Sequence, residues 1–472
     1  MSRSSVAAVV ADGLARADVP RVFSAAGAHP AVADAVRARG MAVVETAGAT
    51  AACIMAAVSA ELHDAPGVAL VSLAGALAPV VDGAAHATRD RAAVIVISDG
   101  AADPRLLEPV VKASMVVDAA SAAHWIAHAA QAAMADLRGA VHLAIPEAVA
   151  DAPALPMATA VRPAPPPAPT REALDALADA IARAARPVLV IGLESGVDDA
   201  KWIRALAESV PAPVLTTPKG KGGLPDPHPL ALGLIDAGHP LVGQADLVVE
   251  IGVDAVELTP RMWRAGVPVV RISRSPREDA VGGPIALVIE ELAPRLRART
   301  HADWDVAALD RLKRASRAVA PAPGFARRRV VAMAREMTPA GTILALGVPV
   351  ADAWASVSPR ECLIPNGVAT LGFALPAAIA AALAADGMRV VSIGSAAGFS
   401  AMAGEWATAV RLGLPIVAVA LNHEGVTDVG ASAARSAGVA VSAAGDEASF
   451  RAAFERAWRA MAPALIDAHV GR

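Results

Sequence analysis

The stretch that decides the fold is "VVSIGSAAGFSAMAGEWATAVRLGLPIVAVALNHEGV", residues 390–426. An apolar, strand-like run passes through a string of small residues into a helix-like segment, and a second apolar run ends in "LNHEG". Near-continuous apolar runs are typical of parallel strands covered on both faces, so the stretch predicts a strand–helix–strand unit. Main-chain N–H groups at the start of its helix can hold an anion. The alternative is an ordinary unit whose small residues only permit close packing.

The same alternation of apolar runs and helix-like segments extends through the 472 residues. The proline-rich stretch "PALPMATAVRPAPPPAPT", 153–170, cannot continue a helix or a central strand and is interpreted as a linker, and "VAPAPGFARRR", 319–329, is a weaker break. We therefore predict an α/β protein with three doubly wound parallel-sheet domains, over 1–153, 171–318 and 330–472. Thr170 is the predicted N-cap of the helix that follows the linker. Ligands of such sheets bind at the carboxyl ends of the strands.

Composition excludes several classes of function. A net charge of −4 gives no electrostatic footprint for nucleic acid or an anionic membrane surface. The longest apolar runs are shorter than the roughly 20 residues of a membrane-spanning helix, and the opening residues do not resemble a cleavable signal. The cysteines are Cys53 and Cys362, which can pair, but a reduced cytoplasmic protein is the expectation. The chain has no tyrosine, so a mechanism that needs a phenol is excluded.

Candidate site residues follow three of the apolar runs. Glu45 follows "AVV", and a carboxylate among apolar neighbours must be paired or protonated, although a helix-start carboxylate held by the helix dipole is the alternative. In "PNGVATLGFALPAAIAAALA", 365–384, Gly367 and Gly372 let the backbone approach a ligand, or only form a tight turn before a buried helix. Asn422 and His423 end the strand beside the small-residue loop.

The middle domain offers one further candidate, "TTPKGKGGLPDPHPLALG". This glycine-rich segment contains Lys219, Lys221 and His228. Either these side chains bind an anionic ligand, or they lie in a solvated loop. No regular metal-ligand spacing, P-loop or Gly-x-Gly-x-x-Gly fingerprint is present in the sequence.

Taken together, six segments in order resemble those of the thiamine-diphosphate-dependent enzymes of the acetolactate synthase and benzoylformate decarboxylase type. They are "VFSAAGAHPAVADAV", "VVETAGATAACIMAA", "VALVSLAGALAPVVDGAAHATRDRAAVIVISD", the middle segment with "RPVLVIG" and "TTPKGKG", "NGVATLGFALPAAIAAAL" and "EWATAVRLGLPIVAVALNHEG". The resemblance covers nearly the whole chain. It implies a pyrimidine-binding, a central and a diphosphate-binding domain, and action on a small 2-oxo acid as a decarboxylase or carboligase. It also implies a homodimer or homotetramer, because the family's cofactor lies between the first domain of one subunit and the third of another.

The resemblance assigns roles to individual residues. Glu45 would pair with the pyrimidine nitrogen of thiamine diphosphate, and Leu371 would be the apolar support under the bent cofactor. Some relatives carry FAD in the central domain, and the sequence leaves that open. The remaining implied cofactor contacts are Gly27, Gly75, Gly394, Ser395, Ala396, Ala397, Asn422 and Gly425.

The sequence departs from the family pattern at the metal. The family has Gly-Asp-Gly and Asn-Asn, whereas "IGSAAGF" has no aspartate in either possible register, 394–396 or 395–397, and the second asparagine is His423. The family's Gly-Pro-Gly is here "AGA", 74–76. With its aspartate and asparagine ligands to magnesium replaced, His423 becomes the candidate ligand for a divalent metal, beside the Gly425 carbonyl.

Two hypotheses therefore stay open. Burying unpaired diphosphate charge costs several kcal/mol, and a helix N-terminus returns roughly 0.3–2 kcal/mol. Either the chain is a thiamine-diphosphate-type 2-oxo acid decarboxylase or carboligase, or it is a cofactor-free or catalytically altered relative that keeps the fold but has lost magnesium and thiamine diphosphate binding.

Overall fold

A computed structural model describes residues 4–100, 103–156, 159–258, 262–263, 266–275, 277–296, 302–317, 325–366, 370–423 and 429–471. Three six-stranded sheets, parallel throughout, follow one another along the chain, as the apolar runs predict. No helix in these ranges is long and apolar enough to cross a membrane.

The first sheet has strand order β3-β2-β4-β5-β7-β6, which makes β3 an edge strand, while β1 and β8 form a separate antiparallel pair. The strands of this part of the chain are β1 (Ser4–Ser5), β2 (Arg21–Ala25), β3 (Ala42–Thr46), β4 (Gly67–Val71), β5 (Val94–Ser98), β6 (Ser114–Val116), β7 (Ala140–Ala144) and β8 (Pro153–Ala154). Its helices are α1 (Val6–Arg16), α2 (Pro30–Ala38), α3 (Ala49–Leu62), α4 (Leu73–Arg89), α5 (Ala122–Met134) and α6 (Glu147–Ala150), with a 3₁₀ helix at Pro104–Val110.

The second sheet has strand order β11-β10-β9-β12-β13-β14. Its strands are β9 (Pro187–Ile191), β10 (Val214–Thr216), β11 (Ala231–Leu234), β12 (Leu247–Ile251), β13 (Val269–Ser273) and β14 (Val281–Gly282). The helices are α7 (Arg171–Arg183), α8 (Ala200–Ser209), α9 (Ile285–Leu292) and α10 (Val306–Arg317), with a 3₁₀ helix at Ala293–Leu296. The predicted cap of α7 is confirmed, because the Thr170 hydroxyl accepts a hydrogen bond from the Ala173 N–H at 3.2 Å.

The third sheet has strand order β16-β15-β17-β18-β20-β19. Its strands are β15 (Leu344–Leu346), β16 (Cys362–Leu363), β17 (Val390–Ser395), β18 (Ile416–His423), β19 (Ala440–Ala444) and β20 (Ala464–Val470). The helices are α11 (Arg327–Glu336), α12 (Ala374–Ala384), α13 (Ala396–Ala401), α14 (Glu405–Arg411), α15 (Val429–Ser436) and α16 (Glu447–Arg459), with a 3₁₀ helix at Ala351–Ala353.

One hydrophobic core joins the first and third sheets. The helices α3 and α12 are apolar on nearly all sides and almost completely buried, as expected of helices enclosed by protein on every face. Ile54 of the first domain and Phe373 and Trp406 of the third belong to the same buried cluster. The central sheet has clusters of its own. Cys53 and Cys362 are free and buried, and burial raises the pKa of each thiol to about 12.

The three domains meet at a buried ammonium group. The Lys219 Nζ lies 2.9 Å from Glu61 Oε2 and 2.8 Å from Asp90 Oδ2, and Asp90 also accepts a hydrogen bond from the Asn366 N–H at 2.6 Å. Burial disfavours the charge of Lys219, but the two carboxylates outweigh it and raise the pKa of the ammonium group. The lysine therefore binds two carboxylates of its own chain.

Two other side chains of the middle segment are also paired within the chain. The Lys221 ammonium pairs with Asp226 at 2.6 Å, and His228 lies 3.1 Å from Glu208. With Lys219 they were expected to grip an anionic ligand or to lie in a solvated loop. A solvated loop is wrong for the two lysines, which are buried against carboxylates of the chain, whereas anion binding by this segment stays a prediction.

Replacing Lys219 by methionine should destabilise the protein strongly. Removing one member of a buried charged group leaves its partners uncompensated, which typically costs about 3–5 kcal/mol. Arg204→Met is the matched control, because Arg204 pairs with Glu208 on the exposed face of α8 and such pairs contribute about 0.3–0.5 kcal/mol. Urea denaturation of the two variants measures the difference, and equal losses of stability would show that the junction is not held by charge.

Candidate active site

The predicted anion-binding loop, 394–397, consists of the last two residues of β17 and the first two residues of α13, so the strand passes directly into the helix. The Ser395 hydroxyl accepts a hydrogen bond from the Gly398 N–H at 3.1 Å and caps the helix, so this side chain is occupied within the loop. A Cβ atom at Gly394 would lie 3.2 Å from the Ala374 Cβ, tighter than most real contacts. Small residues here are therefore a packing requirement of α12.

A cavity of about 160 Å³ lies over this loop. Gly372 has φ +92°, and a Cβ atom there would lie 2.8 Å from the Gly398 oxygen, so the turn before α12 needs glycine. The side chain of Leu371 lines the cavity, and the residue is 57% exposed. The cavity is smaller than the roughly 300–1,000 Å³ of typical ligand pockets, so one chain encloses only part of such a ligand. Its wall comprises Gly347, Pro365, Thr370, Leu371, Gly372, Phe373, Ala374, Leu375, Gly394, Ser395, Gly398 and Phe399.

The strand beside the loop carries the next predicted residues. Ser395 is in register with Leu421, so the buried Asn422 lies one residue beyond the end of β17. Ala396 is buried and Ala397 exposed in the first turn of α13. His423 is the last residue of β18, but its side chain lies outside the described part of the structure. Gly425 and Gly367 also fall outside the described residues.

The predicted contacts of the first domain lie in turns. Gly27 has φ +74° directly after β2, a left-handed conformation that favours glycine. Gly75 lies in the first turn of α4, where Ala76 departs from helical geometry with φ −135° and ψ 26°. The structure thus places both glycines after parallel strands, where ligands of such sheets are expected.

Glu45 differs from its expected environment. Its side chain is 62% exposed and pairs with the Arg37 guanidinium at 3.1 Å, and Arg37 also binds Asp34 at 2.9 Å. Successive side chains of a strand point to opposite faces, and Val44 and Thr46 take the buried side of β3. Glu45 is thus paired, as predicted, but by an arginine at the surface of the single chain and not in an apolar interior, and it lies within β3 and not at the start of a helix.

A second carboxylate, which sequence reasoning missed, holds the turn after Glu45. Glu405 is 1% exposed, and its two oxygens accept hydrogen bonds from the Ala47 N–H at 2.8 Å and the Thr408 hydroxyl at 2.9 Å. Burial raises the pKa of Glu405. From the same helix, Arg411 donates to the Glu45 carbonyl oxygen at 2.5 Å. Helix α14 therefore fixes the backbone that carries Glu45, and the sequence signal for this is a glutamate in the first turn of a short, largely buried helix.

The described residues of the loop do not fit magnesium. Magnesium prefers octahedral oxygen ligands, usually with one or two carboxylates. Across the described ranges no group of three or more His, Cys, Asp or Glu side chains is arranged to hold a metal ion. The Ser395 hydroxyl is used as a helix cap, and position 396 carries a methyl group. The described residues thus do not supply a magnesium site.

Family models match three successive parts of the chain. The descriptions are thiamine pyrophosphate enzyme, N-terminal TPP binding domain, over 4–122; thiamine pyrophosphate enzyme, central domain, over 174–283; and thiamine pyrophosphate enzyme, C-terminal TPP binding domain, over 346–432. Their order is that of the three sheets.

Individual relatives agree with these matches. The chain is 29% identical to a probable 2-ketoarginine decarboxylase of Pseudomonas aeruginosa over 283 residues, which is 55% of this chain and 50% of that protein. It is 27% identical to an acetolactate synthase of Bacillus subtilis over 468 residues, 88% of this chain and 81% of that protein. The match thus spans about half the length of the decarboxylase and more of the synthase.

A solved structure shares the fold. The thiamine diphosphate-dependent 4-hydroxybenzoylformate decarboxylase of Rhodococcus jostii RHA1 superposes with a TM-score of 0.83, covers 99% of each chain and is 20% identical.

Substitutions at Glu405 should distinguish the contribution of its hydrogen bonds to stability from the contribution of its charge. Glu405→Ala leaves the buried Ala47 N–H without its acceptor, which costs about 1–3 kcal/mol. Glu405→Gln keeps an oxygen for that N–H and should remain folded. Because burial raises the pKa of Glu405, the wild type should lose stability as the pH rises through that pKa, and the glutamine variant should not. Urea denaturation at acid and neutral pH measures this, and parallel pH profiles for wild type and Glu405→Gln would contradict it.

Proposed function

Because the chain belongs to the thiamine pyrophosphate enzyme family, we propose that it decarboxylates a small 2-oxo acid or joins its acyl group to a second carbonyl compound. The decarboxylase and synthase relatives support this reaction class. The observation that carries the proposal is the glycine-built loop after β17, with Leu371 at the edge of its cavity. Thiamine diphosphate is the proposed cofactor, and we assign no flavin to the central domain.

The residues of this chain would divide the work between binding and proton handling. Backbone N–H groups of the 394–397 loop would face the diphosphate, and Leu371 would support the bent cofactor from below. Glu45 would hold the proton at the pyrimidine nitrogen. The bound cofactor supplies an electron sink for the carbon that loses carbon dioxide. The side chain of Glu45 is exposed and its backbone is fixed by α14, which suits a residue that must reach a ligand beyond its own chain.

The proposal includes a second copy of the chain. Glu45 lies on an exposed edge strand, Leu371 is exposed, and the cavity of one chain is too small for the whole cofactor. These features support a homodimer or homotetramer in which Glu45 faces the partner's loop. The cytoplasm is the proposed location, and no nucleic acid or membrane partner is proposed.

The metal is where this chain departs from the usual pattern of the family. Without an aspartate in the loop, the diphosphate charge lacks its usual counter-ion, and His423 favours a metal that accepts nitrogen, such as manganese, cobalt or zinc, over magnesium. A catalytically altered relative remains the second candidate function, because the absent aspartate favours it.

Glu45→Gln should reduce carbon dioxide release from a panel of aliphatic and aromatic 2-oxo acids by about 10²–10⁴-fold, the usual contribution of a positioned proton-transfer group. The variant should keep the dimeric or tetrameric mass of the wild type in light scattering, because glutamine has nearly the same size and shape as glutamate. Glu455→Gln, on the exposed face of α16, is the matched control and should leave turnover unchanged. Unchanged turnover in Glu45→Gln would remove this residue from the mechanism and favour the altered relative.

Restoring the metal ligands should restore magnesium-dependent binding of thiamine diphosphate. Wild-type protein should bind the cofactor weakly or not at all with magnesium in calorimetric titration. Ser395→Asp or Ala396→Asp, each with His423→Asn, should tighten binding at least tenfold in one of the two combinations, a gain of about 1.4 kcal/mol. An aspartate at position 395 can still cap α13. Position 396 is buried, so an ionised aspartate there needs the metal ion to compensate its charge.

The matched control for this restoration is Ser395→Asn or Ala396→Asn with His423→Asn, which has the same shape without the carboxylate charge. Tight magnesium-dependent binding by the wild type, with no gain in either aspartate variant, would show that the loop is not a damaged metal site. Titrations of the wild type with manganese, cobalt or zinc in place of magnesium show whether it binds the cofactor with another ion.

A further inference from the structure

Two histidines form an exposed pair on the outer face of the first domain. His124 and His128 lie four residues apart on α5, and both are exposed. Their rings are parallel within 4°, with centroids 6.0 Å apart. Residues four apart on a helix are neighbours on one face, so the two imidazoles project from the same strip of surface.

The backbone under this pair is fixed by packing. Ile126 and Ala127, between the histidines, are buried. A Cβ atom at Gly13 of α1 would lie 2.7 Å from Ile126 Cγ2, so α1 and α5 are in close contact and neither helix can shift toward the other. The distance between the two Cα atoms is therefore set, and only the exposed side chains need to rotate to change the distance between their nitrogens.

Neither imidazole has a hydrogen bond or an ion pair among the residues that the structure describes. Within the described residues, the contacts of His124 and His128 are ring contacts with each other and with Trp125, at 5.2 and 6.2 Å between centroids. Their ring nitrogens are therefore available to an incoming ion. Two imidazoles at this helical spacing are the pair that holds zinc in helical metal sites, where nitrogen–metal distances are about 2.0–2.1 Å.

We propose that His124 and His128 form a two-nitrogen chelating site for a divalent transition-metal ion. Imidazole suits copper, nickel and zinc, and affinity for a nitrogen site rises toward copper, whereas magnesium and calcium prefer oxygen. No third His, Cys, Asp or Glu completes the group among the residues that the structure describes, so water fills the remaining coordination positions. The site is separate from the proposed active site and does not depend on the proposed function.

The test is a calorimetric titration of the untagged full-length chain with Ni²⁺, Zn²⁺, Cu²⁺ and Mg²⁺. Each of the first three ions should bind at one equivalent per chain to a site that requires both histidines, and copper should bind most tightly. Mg²⁺ should give no such signal. His124→Gln and His128→Gln should each lower the affinity of this site at least tenfold, because either change leaves a single imidazole in place of the chelating pair. The double variant should be little weaker than either single variant.

His63→Gln is the matched control, since the His63 ring is hydrogen-bonded to the Ser59 carbonyl oxygen and lies outside the pair. It should leave the affinity unchanged. Fluorescence gives a second readout, because Trp125 contacts both rings and bound copper should quench it in the wild type but not in the variants. If each single substitution only halves the stoichiometry, or changes nothing, the histidines act independently or not at all and the chelate does not exist. Circular dichroism verifies that the variants are folded. We expect them to fold because the substituted side chains are exposed.

Discussion

The contact between α3 and α12 is the constraint on which the rest of the molecule depends. Each helix is built mainly of alanine and other small apolar residues, is buried on nearly every side, and belongs to the core shared by the first and third sheets. Glu45 precedes the turn into α3, and Leu371 precedes the turn into α12. Packing these two helices together therefore fixes both elements of the candidate site at once. A larger side chain at such a contact would force off-rotamer side chains or backbone shifts, at a typical cost of 1–3 kcal/mol.

The strands could be predicted because their cause is local, and the glycines could be located in the sequence although the contacts that require them are tertiary. Apolar runs such as "VVSIG" leave a parallel strand as the simplest interpretation, and Gly394 and Gly372 lie where a Cβ atom would collide with α12 or α13. The exposure of Glu45 could not be predicted, because it depends on β3 being the edge strand, and strand order is a property of the whole sheet. The roles of Glu405 and Lys219 depend on partners more than a hundred residues away.

Charge distinguishes the loop after β17 from the rest of the candidate site. A helix N-terminus and neutral backbone N–H groups stabilise an anion only modestly, and the fixed acidic side chain that would bring a divalent cation is absent from positions 394–397. The Ser395 hydroxyl cannot substitute for it while it caps α13. The loop thus keeps the small residues of the proposed diphosphate site but lacks the group that would balance the charge of a diphosphate.

The Arg37–Glu45 pair raises the question of whether Glu45 is free to act on a ligand. Both side chains are largely exposed, at 45% and 62%, and such pairs contribute at most about 1 kcal/mol. Arg37 also holds Asp34 at 2.9 Å, so its guanidinium keeps a carboxylate partner if Glu45 turns away. Meanwhile α14 holds the Glu45 backbone through Arg411 and Glu405. A second chain docking on this edge can therefore redirect the Glu45 side chain at little cost, since the backbone is already in place and the arginine is not left unpaired.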